Sequence, residues 1–223
     1  MNRIFVGLCA LGLLLAGLSA QAQDKDTSKG IPTDVYYLMP KFGQGYIFFR
    51  GQAPAQGKVN ICAVDNTLRF IDNSGQELEV SNAEDVVKVQ VDTVAFLHHQ
   101  NIYYRLSPVA PDLGIAIHRY VKVYTDEKQS GYGGSSQTSS IQSYSTLYAE
   151  GMIYELEKGK TYPYEVTETL FLYKGQTVVP FTKKNLRKLF PSKKAEVDAY
   201  FVAGGSVPET LPEARALLRS FAE

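Results

Sequence analysis

The stretch VKVQVD at residues 87–92 places a valine at every second position and a polar side chain between them. Successive side chains of a β-strand point to opposite faces of a sheet, so the pattern predicts a strand with one buried and one hydrated face. That arrangement is typical of antiparallel sheets, in which one face packs on the core. The stretch therefore predicts a β-rich fold.

Similar runs of β-branched and aromatic residues lie on both sides of this stretch, separated by Gly, Asn, Asp and Pro. Two separators, DNSG at residues 72–75 and KG at 174–175, predict hairpin turns because their residues tolerate positive φ. The runs predict a β-rich domain at residues 35–180, an antiparallel sandwich or open barrel of roughly eight to ten short strands. They cover residues 46–50, 58–64, 68–72, 77–80, 102–106, 115–125, 146–156, 170–173 and 176–181.

After Pro180 the hydrophobic period changes from two toward 3.6, which indicates helices. Apolar residues in KKNLRKLF, residues 183–190, have helical spacing, and Pro191 ends that segment. A second helix is predicted between Ser192 and Gly204, and Thr210 with Glu213 forms a capping box for a third. The predicted fold class is mainly β with C-terminal helices (α+β), with residues 181–223 as a helical appendage packed on the sheet domain.

Residues 1–22 have the layout of a secretory signal peptide. Arg3 precedes an apolar run at residues 4–18, and Ala20-Gln21-Ala22 precedes a polar stretch. A transmembrane anchor is the alternative, but spanning a bilayer takes about 20 apolar residues and this run is shorter. We therefore expect cleavage after Ala22, export across the inner membrane to the periplasm or cell surface, and a disordered mature terminus at residues 23–34.

The charge balance of the chain argues against two classes of binding partner. The 23 Lys and Arg residues balance the 23 Asp and Glu residues, so no global field recruits nucleic acid or an anionic membrane.

Cys9 lies in the leader, so the mature chain keeps Cys62 alone and forms no intramolecular disulfide. The sequence places no base beside Cys62, and we expect an inert thiol.

Motifs for nucleotide binding and serine hydrolysis are absent from the sequence. Its histidines are His98, His99 and His118, and adjacent histidines on a strand point to opposite faces, so we expect neither a metal nor a cofactor. Two same-face carboxylate pairs leave open a hydrolase acting on polysaccharide, although such pairs are ordinary on exposed sheet faces. They are Glu77 with Glu79 and Glu155 with Glu157.

The candidate binding residues lie on the run at residues 115–125 and in the loop after it. The even positions His118, Tyr120, Lys122 and Tyr124 share one strand face, where they could stack against a sugar or a peptide. The alternative is that the C-terminal helices cover this face. The Ser/Gly-rich segment 129–145 adds Tyr132 and Tyr144, either as contact residues of a flap or as part of a long mobile hairpin loop.

A basic cluster occupies the first predicted helices, with six cationic side chains within residues 183–194. We expect a solvated helix face, because long Lys and Arg stems cover apolar surface while their charged ends stay in water. Contact with an anionic lipid or polymer is the alternative. The cluster comprises Lys183, Lys184, Arg187, Lys188, Lys193 and Lys194.

Two segments resemble exported proteins of Bacteroidetes-type bacteria that have no assigned activity. The first runs through GKVNICAVDNTLRFIDNSGQELEV, the Val-alternating strand, AFL and YYRL, and the second is TKKNLRKLFPSKKAEVDAYF. The similarity covers residues 45–106 and 181–201. It implies an envelope compartment and a β-then-helix layout, and it implies no chemistry.

These observations predict an exported, non-catalytic envelope protein that binds or scaffolds, with a glycan or a protein as its partner. No nucleic acid partner and no transmembrane segment in the mature chain are expected. One alternative is the carboxylate-dependent hydrolase. Another is a self-assembling structural subunit, in which the Ser/Gly/Tyr loop or a strand edge pairs with another chain.

Overall fold

The structure is a computed structural model that describes residues 30–124 and 161–222. These residues form ten strands and four α-helices, which confirms a mainly β fold with C-terminal helices. The strands are β1 Gly43–Phe49, β2 Ala55–Ile61, β3 Leu68–Ile71, β4 Glu77–Glu79, β5 Val86–Val91, β6 Val94–His99, β7 Ile102–Ala110, β8 Leu113–Val123, β9 Tyr164–Lys174 and β10 Thr177–Pro180. The helices are α1 Thr33–Tyr36, α2 Lys183–Leu189, α3 Lys194–Val202 and α4 Leu211–Ala222.

The strands form one antiparallel sheet in the order β10-β9-β8-β7-β6-β5-β1-β2-β3-β4. In a flat sheet β8 would lie five strand spacings, about 24 Å, from β2. Instead, the Val121 N–H on β8 donates to the Ala63 carbonyl just after β2 at 3.0 Å, and the Ala63 N–H donates to the Tyr36 carbonyl at 2.7 Å. The sheet therefore curls until β8 meets the chain around α1.

The inner face of the sheet, which carries Val89 and Ile115, holds two apolar clusters. The first lies within the curl of β1, β2, β3, β5, β6 and β7, where Val89 and Val91 of the alternating stretch are fully buried. Burying one such side chain stabilises the fold by roughly 1.5–3 kcal/mol. The other buried members are Ile47, Val59, Ile61, Leu68, Val80, Val86, Phe96 and Tyr103.

The second cluster joins the C-terminal helices to the same face. Ile115 and Ile117 of β8 and Leu172 of β9 pack against side chains from all three helices. The capping box predicted for α4 is present, because the Glu213 N–H donates to Thr210 Oγ1 at 3.4 Å and the Thr210 N–H donates to Glu213 Oε2 at 3.3 Å. The helical contacts come from Leu186, Phe190, Val197, Ala214, Leu217, Leu218 and Phe221.

Ordered structure reaches further toward the N terminus than the predicted start at residue 35. Ile31 is fully buried, and it packs with Val35 of α1, Val121 and Val123. Ile31 and Val35 thus pack against the end of β8, although Ile31 lies in the segment expected to be a disordered terminus.

Candidate functional site

The outer face of β7, β8 and β9 carries a strip of contacting ring side chains, Tyr104, His118, Tyr120 and Phe171, which we call the aromatic face. The helices pack on the opposite side of β8, against Ile115 and Ile117. The alternative that the helices cover His118 and Tyr120 is therefore wrong. Alternation along β8 separates the two sets, because Ile115 and Ile117 occupy odd positions and the candidate residues occupy even ones.

The rings of the aromatic face form a continuous strip. The His118 ring stacks on Tyr120 with centroids 5.5 Å apart and planes 29° apart, and it lies 5.7 Å from the Tyr104 ring. Tyr104 also meets the edge of Phe171 at 5.3 Å. Tyr104 is only 4% exposed, whereas Tyr120 is 41% exposed. The strip is thus buried at Tyr104 and exposed to solvent at Tyr120. Each such ring pair contributes about 0.5–1.5 kcal/mol to stability.

A polar group of side chains continues the strip toward the end of β8. The Lys122 Nζ atom lies 5.1 Å from the centre of the Tyr124 ring, and the Tyr124 hydroxyl donates to Glu165 Oε2 at 2.8 Å. The hydrogen bond to Glu165 raises the pKa of Tyr124, so this phenol stays protonated. Glu165 faces Lys122 directly in the β8–β9 register. This end of the face offers a cation, a carboxylate and a hydroxyl within one small area.

His118 is neutral at physiological pH, because its partial burial lowers the pKa of its imidazole. Within residues 30–124 and 161–222 it forms no hydrogen bond, so neither ring nitrogen is committed to a partner in those ranges. A neutral imidazole has one donor and one acceptor nitrogen. Across the strand register, Thr169 faces His118 and Thr167 faces Tyr120, which adds hydroxyl groups beside the rings.

Some predicted site residues lie outside the part of the chain that the structure describes. These are Tyr132 and Tyr144 of the Ser/Gly-rich segment, and the carboxylate pair Glu155 and Glu157. The predicted strand at residues 146–156 and the predicted leader at residues 1–22 also lie outside it.

The other carboxylate pair occupies the short edge strand β4, and each member contacts a nearby side chain. The Tyr37 hydroxyl donates to Glu77 Oε1 at 2.7 Å. Glu79 Oε2 lies 3.8 Å from an Arg69 guanidinium nitrogen. Both contacts tie the sheet edge to its surroundings.

Cys62 is fully buried, beside Tyr37 of the chain that follows α1. Burial raises the pKa of the Cys62 thiol well above its usual range, so almost no thiolate forms at neutral pH. The side chain therefore acts as a small apolar packing group.

A polar pocket of about 240 Å³ lies at the β6–β7 turn and was not predicted from the sequence. His98 Nδ1 lies 2.8 Å from the Val86 carbonyl oxygen, and its ring stacks on Tyr103 at 4.4 Å. Arg50, Glu84 and Gln176 join it from distant parts of the sequence. In the described residues no group of three or more His, Cys, Asp and Glu side chains is placed to hold a metal ion.

Comparisons of the chain with protein-family models, with curated proteins and with solved structures gave no match. Function is therefore argued from the geometry. None of the helices in the described ranges has the length and apolar character needed to cross a bilayer.

Proposed function

We propose that this chain is an exported, non-catalytic protein of the cell envelope that binds carbohydrate through its aromatic face. One observation carries the proposal. Tyr120 is stacked on His118 yet 41% exposed, on a sheet face that the helices leave uncovered. An exposed ring held by a neighbouring ring presents a flat apolar surface at little entropic cost on binding.

The groups around Tyr120 favour a sugar as the ligand. A pyranose ring has an apolar C–H face that stacks on an aromatic ring and a rim of hydroxyls that both donate and accept hydrogen bonds. Lys122 of β8 donates, Glu165 of β9 accepts, and Tyr124, which follows the end of β8, does both. Regular strands hold these side chains more precisely than a loop would.

The export part of the proposal depends on the leader-like pattern at residues 1–22 and on the resemblance to exported proteins. Cell fractionation followed by N-terminal mass spectrometry tests it. We expect a mature chain that begins at Gln23 in the periplasmic or cell-surface fraction. An intact Met1 terminus in the cytoplasmic fraction would contradict export.

The binding part is tested by screening the mature wild-type chain against envelope glycans, dietary polysaccharides and peptides. Tyr120→Ala should weaken glycan binding about ten- to thirtyfold, the range of an interface hot spot. Tyr46→Ala is a matched control, because Tyr46 is 47% exposed and lies on the outer face four strand spacings from β8, at β1. It should leave the affinity unchanged.

Three results would count against this assignment. Wild-type protein that binds no glycan removes carbohydrate as the ligand. Equal losses in the Tyr120 and Tyr46 variants remove the aromatic face as the site. Peptide binding that depends on Tyr120 replaces the glycan with a protein partner.

Self-assembly is a second candidate function, favoured by the edge of β9. Strand β10 pairs with β9 only at Phe171–Lys174, so residues 164–170 have no strand partner on that side among the residues described. An edge without Pro or Gly can accept a strand from another copy. Size-exclusion chromatography with light scattering tests this, and a strict monomer at high concentration would exclude self-assembly. For the hydrolase alternative, the described pair Glu77 and Glu79 contacts Tyr37 and Arg69.

A further inference from the structure

A second concave site lies between α2 and α3, away from the aromatic face. It is a groove of about 580 Å³, and five cationic side chains and one proline line it. The lining residues are Lys183, Lys184, Arg187, Lys188, Pro191 and Lys194. Most of the basic cluster thus borders one groove, and Lys184, Lys188 and Lys194 are exposed, as expected of a solvated helix face.

The sequence produces this convergence in two steps. In α2 the cationic positions 183, 184, 187 and 188 occupy two adjacent rows on one side of the helix, while Leu186 is fully buried on the other side. Pro191 then begins a single 3₁₀ turn at residues 191–193, and α3 starts at Lys194. The turn brings Lys194 beside the two rows of α2.

Charge in the groove is only partly compensated. Asp198 Oδ1 of α3 lies 2.9 Å from Lys183 Nζ and 3.7 Å from an Arg187 guanidinium nitrogen. Lys184, Lys188 and Lys194 make no ion pair with any described residue. Four positive charges thus remain in the groove of a chain whose formal net charge is zero. Like charges four residues apart on a helix repel each other, so holding them together has an energetic cost that an anionic ligand would relieve.

The lining also indicates the kind of anion. No aromatic ring is among the lining residues, so the groove has no surface on which a base or a sugar would stack. Arg187 supplies a planar fork that matches phosphate oxygens, and lysines supply compact point charges. We propose that this groove is a binding site for a multiply charged phosphate group, carried by a soluble compound or by a lipid headgroup. This site is additional to the proposed carbohydrate site.

The test uses the mature chain with two probes. Isothermal titration with inorganic triphosphate measures binding of a free phosphate compound. Sedimentation with vesicles that contain phosphatidic acid, whose phosphate monoester can carry more than one negative charge, against phosphatidylcholine vesicles, measures binding of a lipid headgroup. We expect binding in at least one arm, with affinity that falls as NaCl is raised, because exposed charges are screened.

Two variants of opposite sign make the test specific to the groove. The triple variant Lys184→Gln, Lys188→Gln and Lys194→Gln should weaken binding about fivefold per lysine and about a hundredfold in total. Asp198→Asn removes the acid that competes with the ligand and should strengthen binding up to about fivefold. The control variant Lys41→Gln, Lys58→Gln and Lys174→Gln loses the same charge at exposed positions elsewhere and should bind like the wild type.

Binding in either arm that is lost in the groove variant and kept in the control supports the site, and the arm identifies the source of the phosphate. Absence of binding in both arms overturns the proposal. Equal weakening in the groove and control variants also overturns it, because general charge would then explain the attraction. If the groove variant fails to fold, the Asp198→Asn variant provides the test. A phosphate affinity in that variant that is equal to or weaker than the wild-type affinity would contradict the site.

Discussion

Replacing Tyr104 and Tyr120 by alanine, one at a time, separates a packing role from a binding role on the aromatic face. Tyr104 is 4% exposed and contacts both His118 and Phe171, so its removal opens a cavity and breaks two ring contacts. Truncating a large buried aromatic side chain costs about 3–5 kcal/mol. For a protein of this length the melting temperature should fall by about 6–20 °C.

Tyr120→Ala should behave differently. Tyr120 is 41% exposed, and among the described residues its one ring contact is with His118. Losing that contact costs about 0.5–1.5 kcal/mol, which lowers the melting temperature by only about 1–6 °C. Its main effect should be on ligand binding.

The assay is urea unfolding of both variants and the wild type, followed by circular dichroism, with the free energy of unfolding taken by linear extrapolation. We expect Tyr104→Ala to lose at least twice as much stability as Tyr120→Ala. Equal losses would refute the reasoning, because Tyr120 would then be a packing residue with no exposed surface reserved for a ligand.

Three further predictions follow from other parts of the structure. Partial burial lowers the pKa of both His98 and His118, so their contribution to stability is complete above about pH 6.5 and is lost as the pH falls below it. The midpoint of urea unfolding should therefore decline from pH 8 to pH 5. A midpoint that does not change with pH would contradict this. Gly114→Ala should destabilise the protein by about 1–3 kcal/mol, because its Cβ would lie 2.7 Å from the Tyr173 ring and would overlap the Ser107 carbonyl oxygen. Gly57→Ala is the matched control, since its Cβ meets nothing within 4 Å, and equal losses of unfolding free energy would contradict the steric account. Cys62 should resist a thiol reagent such as DTNB in native buffer and react within minutes in denaturant; rapid native labelling would contradict its burial.

Local patterns predicted most of the strands and all three C-terminal helices. The alternation in residues 87–92 corresponds to β5, where Val89 and Val91 face the core. The sequence patterns do not predict strand β6, and the physical reason is visible in Phe96 and Leu97. Both are buried although they point to opposite faces, so the sequence there has no hydrophobic alternation to detect.

The sequence predicted only the part of the candidate site that lies on strand β8. Alternation along β8 placed His118, Tyr120 and Lys122 on one face. Their neighbours Tyr104 and Glu165 come from β7 and β9, and the pairing register that brings them close is set by tertiary contacts. The phosphate groove also depends on tertiary structure. Helical spacing predicts the two rows of cationic side chains on α2, but it does not predict the turn at residues 191–193 that brings Lys194 beside them.

The most direct test of the carbohydrate proposal is a chemical-shift map of the mature protein by NMR, recorded as the best-binding glycan is added. We predict that the perturbed amides cluster on β8 and β9 around Tyr120, and that amides of α2 and α3 do not move. Perturbations confined to another surface, or no perturbation at saturating glycan, would contradict the account.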